Sequence, residues 1–217
     1  LAKESGTFLI RSLETVFQTA VKQSGQNFVD SSGKFIGAED HIRSAWDTAV
    51  KAHTLGISAA AKADTPDTQA AVASGKLPAD IGASWHLSDL MVDAPDTSGK
   101  WHVCAHPGDA TNNGGSFLTI PKGTADAAKA FEVIMHILNA DNQIIEYEDK
   151  GNFPANSAAF TSEALHKPTE FLGGQVGGEV FAAAAATVRP LYEHKFDNTV
   201  SGPFSAELEL IETNDLR

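Results

Sequence analysis

The sequence predicts an α/β fold, and three observations carry that expectation. Apolar residues recur three and four positions apart over residues 8–21, 42–53 and 127–138, as they do along the buried face of a helix. Short apolar runs of strand length occupy residues 79–84, 101–106 and 116–121. Glycine, proline and Asx residues punctuate the chain between them, and helices interleaved with short strands argue a layered α/β architecture.

The elements follow in order. Leu9, Leu13, Val16, Phe17, Ala20 and Val21 share one helical face, and Gly25 ends it. Around Asp30-Ser31-Ser32-Gly33 two short apolar arms read as a hairpin, with glycine supplying a backbone angle that other residues avoid. Ile42, Ala45, Trp46, Ala49 and His53 form a second helical stripe, with Glu39 and Asp40 in the first turn and Gly56 past the end; Trp46 is expected in the core. A cap at Asp64 or Thr65 followed by Pro66 opens a short helix that stops at Gly75. Residues 79–84 are expected as a buried strand running into Trp85, with further strands at 101–106 and 116–121. Helix returns with Ala127, Phe131, Ile134, Met135 and Leu138, then over 141–151, through the alanine run 178–192 broken at Pro190, and in a final segment from Pro203.

Composition narrows the function. The chain has 217 residues, enough to bury about 70% of its unfolded surface without metals or disulfides. With 16 Lys and Arg against 28 Asp and Glu, the net charge is −12, which repels phosphate backbones and makes nucleic acid an unexpected partner. The single cysteine, Cys104, lies in an apolar run and reads as a small buried residue with no disulfide partner. No apolar run reaches the roughly 18–20 residues of a membrane-spanning helix. The chain opens on Leu1 with helical patterning at once, so it is expected to be a piece of a longer polypeptide.

The residue types of covalent and metal chemistry are present without their spacings. His102 and His106 lie four apart on an expected strand, about 13 Å at 3.3 Å per residue, too far for one zinc. His41 and His53 are three helical turns apart, and no His-Glu-x-x-His or cysteine pair occurs, so no metal and no cofactor are expected. The "GGSF" at residues 114–117 lacks the second glycine of a nucleophile elbow and precedes a strand rather than following one. The groups Glu39/Asp40, Glu146/Glu148/Asp149 and Glu207/Glu209 read as solvated surface charge, so no catalytic residue is assigned. The "GGQVGG" at 173–178 lacks the lysine and hydroxyl of a phosphate loop.

Binding chemistry remains. Trp85, at the end of an expected strand and before the polar "HLSDL", is expected at the carboxyl edge of a sheet, where open α/β folds place ligands and where an indole can stack on a sugar face. The pair Gly114-Gly115 lets backbone amides approach a ligand closely.

The succession "GKFIGAEDHIRSAWDTAVKAHTLGI", "AAVASGKLPADIGASW", "SGKWHVCAHPG", "GGSFLTIPKGTADAAKAFEVIMHILNADNQIIEYEDKGNFPANSAAF" and "FLGGQ" resembles the family 1 extracellular solute-binding proteins, the substrate receptors of carbohydrate ABC importers, similar to maltose-binding protein. The resemblance covers nearly the whole chain; each motif is weak alone, and their order and spacing are specific. It implies a periplasmic-binding-protein-like fold of type II, in which two α/β lobes close over a sugar. On that scheme residues 1–106 are the first section of the second lobe, 107–152 a crossing segment with the closing section of the first lobe, and 153–217 the closing section of the second lobe. It implies ligand-binding roles for Trp85, Gly114, Gly115 and Ser116, a carbohydrate ligand, ABC permease subunits as membrane partners, a monomer, and an extracellular or periplasmic location with a lipid anchor on the full-length protein. Family members are about twice this length, and related branches carry an aromatic before the glycine pair where this chain has Asn112-Asn113. Two readings of other classes accompany this one: a ligand-sensing module of the same fold, and a carbohydrate-active hydrolase, against which the missing carboxylate pair argues.

Overall fold

Helices carry the architecture of the computed structural model, which describes residues 2–62 and 65–214. The chain divides into two compact units: one of Leu1–Ile81, His106–Asn112 and Thr187–Arg217, the other of Gly82–Ala105 and Asn113–Ala186.

In the first unit, the turn α1 (Ala2–Ser5) is followed by α2 (Leu13–Gln23), which starts later than the apolar spacing alone predicts. Ser12 decides the start, because its hydroxyl accepts from the Thr15 amide and satisfies a donor that the first turn leaves orphaned. The hairpin forms as expected around Gly33 (φ 84°), with an isolated antiparallel bridge between Val29 and Phe35 and the Asp30 carboxylate accepting the Ser32 and Lys34 amides. Helix α3 (Asp40–Thr54) buries Ile42, Ala45, Ala49 and Ala52 against α2. Of the two caps expected for α4 (Pro66–Ala73), Thr65 accepts from the Thr68 amide, while Asp64, like Leu1, lies outside the described residues.

The first core is aromatic. Phe17 meets Phe28, Trp46 and Phe204 with centroids 6.2, 6.0 and 5.7 Å away, and Trp46 packs against the buried cluster as expected. Phe204 comes from α9 (Asp197–Asn214), which begins six residues before the expected Pro203 and runs through it. An interior proline removes a helical hydrogen bond at about 3 kcal/mol, and burial of Phe204, Leu208 and Ile211 against the same cluster offsets it. Far along α9, the Glu212 carboxylate accepts from the Leu13 amide at 2.8 Å and from the Ser58 hydroxyl, locking the last helix to the start of α2.

The second unit holds α5 (His86–Asp93), α6 (Ala127–Ile137), α7 (Ala140–Lys150) and α8 (Gly177–Ala185), with 3-10 turns at Pro95–Thr97, Ser157–Thr161, Glu163–His166 and Glu170–Leu172. Helix α8 ends before Pro190, earlier than the alanine run extends. Its close approach to the Glu163–His166 turn requires Gly178, where a Cβ would collide with the Leu165 carbonyl. A ring cluster of Tyr147, Phe153, Phe160 and Phe181 joins α7, α8 and the segment between them, and burial pushes the Tyr147 phenol above its usual value.

The expected strands are the main correction. Among the described residues no strand ladder forms; there are three isolated bridges, and residues 79–84, 101–106 and 116–121 lie outside them. A strand exists only through a paired neighbour, and residues 116–119 stay exposed while the segment 101–106 finds a different partner. Val103 shows how: its amide donates to Gln175 Oε1 and its carbonyl accepts from Gln175 Nε2, both at 2.7 Å, so one side-chain amide replaces a neighbouring strand. The adjacent Cys104, expected as buried, is exposed, because successive residues of extended chain face opposite ways and Val103 takes the inner side.

Candidate functional site

Trp85 stands at the start of a helix, not at the end of a strand. Its own backbone is helical (φ −65°, ψ −23°), and its carbonyl accepts the Ser88 and Asp89 amides at 3.0 and 3.3 Å, so it is the N-cap position of α5. The turn before it closes through His86 N–H to the Ala83 carbonyl and Leu87 N–H to the Ser84 carbonyl. Gly82 is needed there, since a Cβ would come within 2.7 Å of the His86 ring. The His86 ring in turn meets the Trp85 ring edge to face, centroids 6.3 Å apart at 82°. At the next turn of α5 the Ser88 hydroxyl donates to the Lys150 carbonyl at 2.7 Å, which ties the helix to the end of α7. The indole thus sits on a backbone fixed from three directions and is still 44% exposed. An exposed tryptophan with a fixed backbone costs little conformational entropy on binding, which suits a stacking platform.

Gly114, Gly115 and Ser116 lie on exposed chain within the same compact unit as Trp85. Both glycines occupy the left-handed region, at φ 82° and 113°, where a side chain is strained, and neither Cβ would meet an atom within 4 Å. What demands glycine here is therefore the backbone angle, not crowding. Their amides and the Ser116 hydroxyl present donors and an acceptor suited to hydroxyl-rich ligands.

The carboxylates read as surface charge do lie there. Lys34 pairs with Glu39 at 3.3 Å, Lys62 with Glu209 and Lys167 with Glu148 at 2.7 Å, all exposed pairs of the kind worth about 0–1 kcal/mol. Among the described residues no group of three or more His, Cys, Asp or Glu side chains could hold a metal ion, and no helix is long and apolar enough to cross a membrane. His102 and His106 face different partners: His102 approaches Gly173, and His106 Nδ1 lies 3.2 Å from Gln23 Nε2.

One aromatic feature escaped the sequence reading. Tyr192, His194 and Phe196 alternate along residues 192–196, outside any amphipathic pattern, and Tyr192 and Phe196 are exposed. The alternation was visible in the sequence; what marks it as unusual, the exposure of the rings, was not.

Comparison with known proteins establishes the family and the fold of the chain. A family profile described as bacterial extracellular solute-binding protein matches residues 5–172. A lactose-binding protein from Rhizobium radiobacter is 26% identical over 149 residues, covering 63% of this chain and 35% of that protein. A crystal structure of an extracellular solute-binding protein of family 1 superposes with a TM-score of 0.88 at 22% identity, over 99% of this chain and 56% of that one. The ABC transporter associated binding protein from B. animalis subsp. lactis Bl-04, solved in complex with β-1,6-galactobiose, gives 0.79 at 20% identity, covering 99% and 60%. The sugar-binding protein MalE from Xanthomonas citri gives 0.78 at 12% identity, covering 97% and 54%. The chain thus spans about a third of the curated relative's length and a little over half that of the solved proteins, with which it shares the fold.

Proposed function

We propose that this chain, which belongs to the bacterial extracellular solute-binding protein family, is the ligand-capturing part of a carbohydrate ABC importer component that works outside the cell membrane and hands its sugar to permease subunits. The observation that carries this reading is the family match across residues 5–172, which contains a fixed yet exposed indole. In this proposal the chain supplies most of the second lobe together with a crossing and the closing section of the first lobe, and the full-length protein is a lipid-anchored monomer. Relatives with a lactose-binding name or a bound β-1,6-galactobiose support a small oligosaccharide as the ligand class.

The chemistry is recognition without bond making. The Trp85 indole covers an apolar pyranose face by dispersion and burial, while the Gly114 and Gly115 amides and the Ser116 hydroxyl bond to sugar hydroxyls. A neutral ligand needs no counter-charge, so a chain of net charge −12 carries no electrostatic penalty in binding it.

Calorimetric titration with lactose, β-1,6-galactobiose and longer galacto- and gluco-oligosaccharides tests this. Trp85→Ala is expected to weaken the best sugar by about 1–3 kcal/mol, roughly tenfold to a hundredfold. The unfolding midpoint should barely move, since the ring is exposed. Unchanged affinity together with a collapse of stability would make Trp85 a packing residue. Binding by the wild-type chain to none of the sugars would overturn the carbohydrate reading itself.

A further inference from the structure

We infer that Asn113 is a covalent modification site: the folded chain leaves the Gly114 nitrogen able to close a ring onto the Asn113 side-chain amide, which becomes a carboxylate in water without an enzyme. This holds whether or not the ligand is a sugar.

The step needs a backbone nitrogen that is not already donating a hydrogen bond, followed by no side chain that shields it. A helix or a strand ladder commits each N–H to a carbonyl and so removes it as a nucleophile. Residues 112–119 belong to neither and are all exposed. Among the described residues the Gly114 amide donates to no acceptor. Gly114 sits at φ 82°, and a Cβ built there would meet nothing within 4 Å, so there is room for a ring beside it. Asn113 is also the one asparagine in the sequence that glycine follows. Asn139, Asn142, Asn152 and Asn156 precede Ala140, Gln143, Phe153 and Ser157, each of which puts a Cβ beside the nitrogen that would attack.

The bonds balance with no oxidant or reductant. The Gly114 nitrogen gives up its proton and bonds to Asn113 Cγ; the Cγ–Nδ2 bond breaks, and ammonia leaves with that proton. A five-membered imide results, and water then adds to one of its two carbonyls. Addition at Cγ breaks the new bond and leaves an aspartyl residue. Addition at the backbone carbonyl breaks the original peptide bond and reroutes the chain through Cβ and Cγ as an isoaspartyl residue. Either carboxyl is ionised at neutral pH, so the chain becomes one charge more negative immediately before Gly114, Gly115 and Ser116.

The test holds the folded chain at neutral and at mildly alkaline pH, beside a synthetic peptide of residues 109–117 as a clock. Peptide mapping by mass spectrometry reads the change from amide to acid at each asparagine, and methylation by an isoaspartyl methyltransferase reads the rerouted product. Asn113 in the folded chain is expected to convert within about threefold of the peptide's rate, since no local structure protects it. Conversion should be faster at the higher pH, where the nitrogen attacks as its anion, and should give isoaspartyl as well as aspartyl product. Asn113→Gln, whose ring would be one atom larger, is expected to abolish it with the unfolding midpoint unchanged, and Gly114→Ala to slow it severalfold. Three results would overturn the site. No conversion once the peptide is half converted would show that the fold shields it. An aspartyl product alone would mean direct hydrolysis, and equal conversion at Asn156 would show that the glycine does not decide.

Discussion

At the scale of single residues, the aromatic side chains divide by what holds them. Phe17 is fully buried and touches three other rings, so its burial and packing serve the core. Phe17→Ala should cost about 3–5 kcal/mol, the range for truncating a core aromatic, measured as a fall in urea-unfolding free energy without a change in slope. A loss below about 1 kcal/mol would mean the core repacks around the gap. Trp85 is the opposite case: its backbone is fixed by hydrogen bonds, its ring is exposed, and its truncation should be read in affinity and not in stability. The sequence could mark both as large apolar residues. Helical spacing identifies Phe17 as core through its neighbours on one face, and the polar segment after Trp85 marks it as a binding candidate, but nothing local says that its ring is left 44% exposed.

At the scale of elements, capping set the boundaries. Asn139 accepts from the Asn142 amide at 2.8 Å and starts α7 immediately after α6 ends, and Gly151 in a left-handed conformation ends it. Asn139→Ala should lower stability by about 1 kcal/mol, and Asn139→Asp should restore most of it, since either side chain supplies the acceptor that the first turn requires. Thermal unfolding of both variants checks this; equal losses would show that the cap is not what starts the helix. The same logic explains the helices that begin away from their apolar stripes. Ser12 delays α2, and the turn held by Asp197 precedes an α9 that begins six residues before Pro203. Cap residues are readable in a sequence, but the carboxylate of Asp197, the first residue of α9, accepts from the Val29 amide 168 residues away, and that reach is invisible locally.

For the whole molecule, exposed apolar surface is the dominant feature. Phe117 is 93% exposed, and Phe131, Val133, Met135 and Ile137 of α6 are all exposed together with Ile145 of α7. Phe131 and Met135 lie on one side of α6 and Val133 and Ile137 on the opposite one, so α6 shows apolar side chains on two sides. The chain should therefore bind an apolar dye and self-associate at high concentration, and Val133→Lys with Met135→Lys should reduce both effects while moving stability by no more than about 0.5 kcal/mol each. Dye fluorescence and light scattering read the first outcome and thermal unfolding the second. A drop of several degrees in the unfolding midpoint would show that these two side chains are packed and not free.

The sequence by itself determined most of the helices, the hairpin at Gly33 and the family, because each rests on short-range order: apolar spacing of three and four, a glycine at a positive φ, and motifs in a fixed succession. It also named Trp85, Gly114, Gly115 and Ser116 as binding candidates. Only the tertiary structure decided that residues 79–84, 101–106 and 116–121 pair into no ladder, that Trp85 opens a helix, that Cys104 faces water, and that Tyr192, His194 and Phe196 form one surface. The physical reason is the range of the interactions. A helix closes its hydrogen bonds four residues away, so its pattern is written where it forms, whereas a strand, a buried carboxylate or an exposed ring is defined by partners far along the chain, as Val103 is by Gln175.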